Sequence, residues 1–146
     1  VIASDSLGNF VVAWESVGQD GSGSGIFAQR YDASGARRGA EFRVNSYTTS
    51  DQKWLDLASD PAGNVMVVWE DYAGRDGNFL GVFAQRFDAA GVRLGAEFQV
   101  NTYTTLHQLL PSVASDAAGN SVVVWSSWGG FGGATRREST TTIVKP

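Results

Sequence analysis

Asp60-Pro-Ala-Gly-Asn-Val-Met-Val-Val-Trp69 decides the fold, because the chain writes this stretch three times. Asp5 to Trp14 reads Asp-Ser-Leu-Gly-Asn-Phe-Val-Val-Ala-Trp, and Asp116 to Trp125 reads Asp-Ala-Ala-Gly-Asn-Ser-Val-Val-Val-Trp. The copies start at Asp5, Asp60 and Asp116, an almost even spacing. A fixed period of this size means one supersecondary unit repeated along the chain, each copy unable to bury both of its faces alone. Within the stretch, Asp-x-x-Gly-Asn makes a polar turn in which Asp bonds its own backbone and Gly takes a positive φ. The run that follows is β-branched and aromatic, too short and too valine-rich for a helix. Val65, Val67 and Trp69 point one way, Met66 and Val68 the other. A strand apolar on both sides belongs between two layers.

Working outward, the same plan recurs on either side. In the first unit, Val1 to Ser4 ends a strand, Phe10 to Glu15 forms the next, and Ser16 to Gly25 is a glycine- and serine-rich loop. Ile26 to Tyr31 is a third strand closed by the turn Asp32-Ala-Ser-Gly35, and Glu41 to Val44 alternates as a half-exposed fourth. The second unit repeats this with strands at 54–59, 65–70, 82–87 and 97–100. Phe27 and Phe83, Gln29 and Gln85, and Asn45 and Asn101 are equivalent pairs, so register is kept through the whole unit. The expected fold is therefore all-β: tandem four-stranded antiparallel repeats, propeller-like blades in a partial or oligomer-completed ring. The units are 1–49, 50–105 and a partial third at 106–134. There Trp128 to Gly133 takes the long-loop position and the Phe-Ala-Gln-Arg pattern is missing. Residues 135–146 read either as a divergent strand, with Thr140 to Val144 favouring β structure, or as a tail.

Composition agrees and sets outer limits. The chain has 146 residues, 18 glycines, 12% aromatics and no cysteine. A net charge of −4 gives no general attraction to nucleic acid or an anionic membrane. No apolar run approaches the roughly 18 residues of a membrane-spanning helix. Without cysteine there are no disulfides and no thiolate metal sites. The chain opens inside a repeat, at Val1 and Ile2, which reads as a fragment or processed product.

Residues 10–35, from Phe-Val-Val-Ala-Trp-Glu to Phe-Ala-Gln-Arg-Tyr-Asp-Ala-Ser-Gly, followed by Glu41-Phe-Arg-Val-Asn-Ser-Tyr-Thr-Thr49, resemble a repeat of very large bacterial extracellular proteins. Those proteins often carry hemolysin-type calcium-binding repeats or cadherin-like modules. The resemblance covers residues 1 to about 128. It implies a secreted or cell-surface bacterial protein and carries no assigned activity.

Candidate sites follow from residue type. Asp20, with Asp76 and Asn78 a repeat later, places oxygens on glycine-rich loops in the manner of a calcium site, although six to eight oxygens are needed and each loop offers one carboxylate. The alternative is a plain glycine-rich connection. Trp14, Trp69 and Trp125 recur on the buried strand and are expected in the core. Trp54 and Trp128 have no tryptophan counterpart and are the candidates for stacking on a sugar ring. Arg30 and Arg86 recur and are expected to hold turn aspartates or strand-end glutamates of their own or a neighbouring unit. The lone His107 has no identifiable partner, and no catalytic motif is present, so no catalytic residue is assigned. The Asp-x-x-Gly turns lack the Ser-x-Asp-x-Gly-x-Thr-Trp order of sialidase-type propellers.

The expected function is thus a non-enzymatic extracellular module that binds glycans or cell-surface ligands. The alternatives are a structural spacer of a giant surface protein, with or without bound calcium, and a fragment of a sialidase-like propeller hydrolase. Since two and a half units leave apolar strand faces open, self-association is the expected partnership, with no nucleic acid and no membrane insertion.

Overall fold

In the computed structural model, residues 1–131 and 134–144 are described, with side chains described as far as Trp128. The first sheet has the order β1 (Ile2–Ser4), β2 (Phe10–Val17), β3 (Ser24–Tyr31) and β4 (Phe42–Arg43). The second repeats it with β5 (Gln52–Ser59), β6 (Val65–Asp71), β7 (Gly81–Phe87) and β8 (Phe98–Gln99). The third contains β9 (His107–Ser115), β10 (Ser121–Phe131) and β11 (Ala134–Val144) in the order β11-β10-β9. Every pairing is antiparallel, and the described residues contain no helix.

The repeated turn works as its residues demand. Asp5 Oδ1 accepts from the Leu7 and Asn9 amides at 2.8 and 2.9 Å, and Oδ2 accepts from Asn9 Nδ2 at 2.7 Å. Asp60 and Asp116 hold Asn64 and Asn120 the same way. Gly8, Gly63 and Gly119 sit at φ near +80° to +88°, where a side chain is strained. Each motif residue therefore has a job: Asp caps, Gly turns, Asn returns the bond, and the strand departs in fixed register.

Packing between sheets explains the two-faced strand. Val65, Val67, Trp69, Phe83 and Phe87 meet Ala13, Ile26, Ala28 and Val44 of the first sheet. Met66, Val68, Val82 and Ala84 meet Val113, Val123 and Trp125 of the third. All seven residues of β6 are buried. Neighbouring sheets approach along their first strands: β5 lies against β1, β2 and β3, and β9 against β5, β6 and β7. The sheets thus fan outward from their first strands as blades do, without closing into a barrel.

The structure refines or departs from the sequence reading in several places. β5 begins at Gln52, earlier than expected, and β9 likewise at His107, because each passes through a bulge with one left-handed residue and then resumes its ladder. β10 runs on to Phe131, so residues 128–131 are strand where a loop was expected. Residues 135–144 lie in β11, paired along β10, while Gly132 and Gly133, part of the expected loop, and Lys145 and Pro146 lie outside the described residues. Trp14 is half-buried, unlike Trp69 and Trp125 at 0% and 3% exposure. It points to the face of the first sheet on which no described sheet packs.

Candidate functional site

The site is built on the bulge of the innermost strand. β2 ends near Glu15 and β6 near Glu70, equivalent positions of successive repeats. Glu15 Oε1 accepts from the Trp54 amide at 2.6 Å, and Glu70 Oε1 from the Leu110 amide at 2.7 Å. Trp54 and Leu110 have φ of +52° and +53°, unusual for bulky residues. That conformation turns the amide out of its own ladder and towards the preceding sheet, where a carboxylate receives it. Each glutamate latches the bulge of the next blade. The side chains are displayed outward: Trp54 is 58% exposed and Leu110 51%.

Around Trp54 the surface is polar and fixed. The Tyr72 amide donates to the Asp51 carbonyl at 2.9 Å, and the Tyr72 hydroxyl donates to Glu70 Oε2 at 3.0 Å. Burial, aided by the Glu70 charge, pushes the Tyr72 hydroxyl up to about 12, with the adjoining Trp54 indole acting in the opposite direction. Lys53 Nζ pairs with Asp51 at 2.9 Å and lies 5.9 Å from the Tyr72 ring centre. The result is an exposed indole flanked by a phenol, an ammonium and carboxylates. This can stack on one face of a sugar ring and bond its hydroxyls.

Glu70 itself is 1% exposed, and burial raises its pKa, a rise opposed by the Leu110 amide and the Tyr72 hydroxyl. A carboxyl with a raised folded-state pKa binds its proton more tightly folded than unfolded, so its ionisation weakens the fold as pH rises past its ordinary range. Glu70→Gln keeps an oxygen for the Leu110 amide and removes the charge. The variant is expected to gain stability over the parent with increasing pH between 4 and 7, read from paired melting curves. A variant that loses stability across that range would show that the charge, rather than the acceptor, holds the latch.

The proposed metal residues have other partners. Asp20 Oδ1 accepts from the Ser22 amide at 3.2 Å and Oδ2 from Asn45 Nδ2 at 3.2 Å. Asp76 does the same with Asn78 and Asn101, at 3.1 Å each. Asn45 and Asn101 are buried, and their Oδ1 atoms accept from the Ile26 and Val82 amides at 2.8 Å. Asp20 and Asp76 therefore fasten the long loop to the exit of the fourth strand. Asn78 joins this arrangement through its backbone. Among the described residues, no group of three or more His, Asp or Glu is placed to hold a metal ion. The Gly132 position of the third unit lies outside them.

Trp128 is half-buried on β10, paired with His107 of β9 and Arg137 of β11, in the third sheet rather than beside Trp54 in the second. It occupies the repeat position of Tyr72, so an aromatic recurs there although a tryptophan does not. The His107 ring lies 5.0 Å from Phe79. Arg30 crosses to the next sheet and donates to the Ala89 carbonyl at 2.9 Å, a backbone partner where a carboxylate was expected. Between the second and third sheets an open cleft of about 260 Å³ lies at this same end, lined by Met66, Arg86, Phe87, Leu94, Ser115 and Ser121 among others. Motif reading meets the strand-end glutamates as partners for arginines and not as latches, and it misses the buried glutamines Gln52 and Gln108. Their recurrence one repeat later was the signal that would have found them.

Antiparallel sheets, two of four strands and one of three among the described residues, fanning from their first strands define a β-propeller-like repeat protein. No protein-family model matches the chain, and no curated protein matches it in sequence. Among solved structures it is similar to an endo-arabinase from Bacteroides thetaiotaomicron VPI-5482, with a TM-score of 0.57 and 13% identity. The match covers 100% of this chain and 55% of that one, so the chain spans about half the length of the enzyme. At this identity the likeness is one of fold.

Proposed function

We propose that this chain is a carbohydrate-binding repeat module whose ligand lies against Trp54 on the inner-strand rim, and that it acts without catalysis. The observation that carries the reading is an exposed indole held on a left-handed bulge by the Glu15 carboxylate at 2.6 Å. The latch displays Leu110 in the same way, so what favours a binding role at Trp54 is an exposed indole set among Tyr72, Lys53 and Asp51. The endo-arabinase of similar fold is a carbohydrate-active enzyme by name, which puts carbohydrates first among the ligand classes to test. A binding role fits better than hydrolysis because Glu70 is buried beneath its latch and Glu15 is committed to the Trp54 amide. A bacterial surface or secreted location is part of this proposal and rests on the repeat resemblance.

The test is affinity electrophoresis against a panel of soluble polysaccharides that includes arabinan, followed by titration of intrinsic fluorescence. Trp54→Ala should weaken binding tenfold or more, equivalent to about 1.4 kcal/mol, with an unchanged melting temperature. Leu110→Ala, at the equivalent bulge, should leave binding intact. Equal affinity in the parent and Trp54→Ala, or release of reducing ends from the polysaccharide, would refute the proposal.

A further inference from the structure

We infer that the open face of the first sheet is a docking surface for the third sheet of a second copy of this chain, and that two copies close a six-sheet ring. Ile2, Phe10, Val12, Trp14 and Tyr31 lie on this face, with Ile2 64% exposed and the other four half-buried. Their counterparts one repeat later are Leu57, Val65, Val67, Trp69 and Phe87. Those residues are 5%, 6%, 1%, 0% and 3% exposed, because the first sheet covers them. The open face is thus a repeat of an interface that the molecule already makes internally.

The covering side is repeated as well. In the first sheet it includes Ala3, Val11 and Ala13, and in the second Ala58, Met66 and Val68. In the third sheet the same positions are Ala114, Val122 and Val124, with Val124 41% exposed and Ala114 exposed. Register supports the equivalence, since Ala3 pairs with Val11, Ala58 with Met66 and Ala114 with Val122. One end of the stack therefore presents the large side chains of the repeat interface, and the other end the small ones. Such a contact is head-to-tail, which forms a ring when the rotation closes. Propeller rings typically have 4 to 8 blades, and two copies of the three described sheets make six, whereas three copies make nine.

The latch is absent at this junction. Ser126 stands where Glu15 and Glu70 stand in the other units, so the third sheet offers no glutamate to a bulge. Docking here relies on the apolar face alone.

The experiment is light scattering on a sizing column with the full chain. The expected mass is twice the 15.5 kDa of one copy. Ile2→Glu and Val124→Glu, each at an exposed position on opposite ends of the stack, should each shift the protein to 15.5 kDa with its circular dichroism preserved. Val92→Glu, exposed on a turn away from both faces, should remain at the dimer mass. A monomeric parent chain, an open series of larger species, or a dimer unaffected by both end substitutions would overturn the inference.

Discussion

Trp69→Ala is expected to destabilise the chain by about 3–5 kcal/mol, the range for truncating a large aromatic in a closed core. Trp69 is fully buried on β6, between the first and second sheets, with Val65 and Val67 beside it. Its loss opens a cavity that sheets on either side cannot collapse to fill, since each is fixed by its own ladder. Domains of ordinary size have about 5–15 kcal/mol of stability, so the variant should melt tens of degrees lower or be partly unfolded. Trp14→Ala, at the equivalent position on the face that only a second copy covers, should cost less than about half as much in the Val124→Glu background, where the copies stand apart and less of its area leaves water on folding. Urea melts of both variants measure the difference. Equal costs in that single-copy background would mean that the two tryptophans share one environment without a covering sheet, contrary to the arrangement of the sheets.

Asn101→Ala is expected to cost roughly 3 kcal/mol, because it orphans several buried groups and each costs about 1–3 kcal/mol when left unpaired. Asn101 is 2% exposed; its Oδ1 accepts from the Val82 amide, and its Nδ2 donates to Asp76 Oδ2 and to the Tyr103 carbonyl at 2.9 Å. Asn101→Asp separates size from donor chemistry. Its carboxylate still receives the Val82 amide but faces Asp76 and a carbonyl oxygen, so it should be at least as damaging at neutral pH. As pH falls and the new carboxyl protonates, part of the loss should return. Thermal melts of both variants at pH 7 and pH 4 read this directly. An Asn101→Asp protein as stable as the parent at pH 7 would mean that the Asp76 contact carries nothing.

How much of this was legible in the sequence depends on whether a feature lies along the strand or across sheets. The Asp-x-x-Gly-Asn turns and the two-faced burial of Val65 to Trp69 were readable because turn chemistry and side-chain alternation are local. The fourth strands were visible from the same alternation, although they shorten to Phe42–Arg43 and Phe98–Gln99. The latch was not readable, since Glu15 and Trp54 are 39 residues apart and meet only when one blade stacks on the next. The bulge was hidden for a second reason. Trp54 and Leu110 share a backbone conformation and not a side-chain type, so comparing letters between repeats makes Trp54 look unique when its position recurs. Asp20 and Asp76 were recognised as important for their spacing, but the donors they engage are carried by Asn45 and Asn101, 25 residues further on. Trp14 was assigned to the core from its repeat position, which holds only where a neighbouring sheet covers the face.

Both the stacking of the sheets and the display of Trp54 assign a different exposure to each tryptophan, and residue-resolved oxidation by hydroxyl radicals reads all of them at once in the native chain. Trp54, at 58% exposure, should be modified fastest, Trp128 more slowly, and Trp69 and Trp125, at 0% and 3%, slowest of all, with Trp14 protected in the dimer and modified faster once Val124→Glu separates the copies. That order is the predicted result. Oxidation of Trp69 at a rate comparable with Trp54 would contradict both the face-to-face packing of the first two sheets and the placement of Trp54 as the exposed aromatic of the rim.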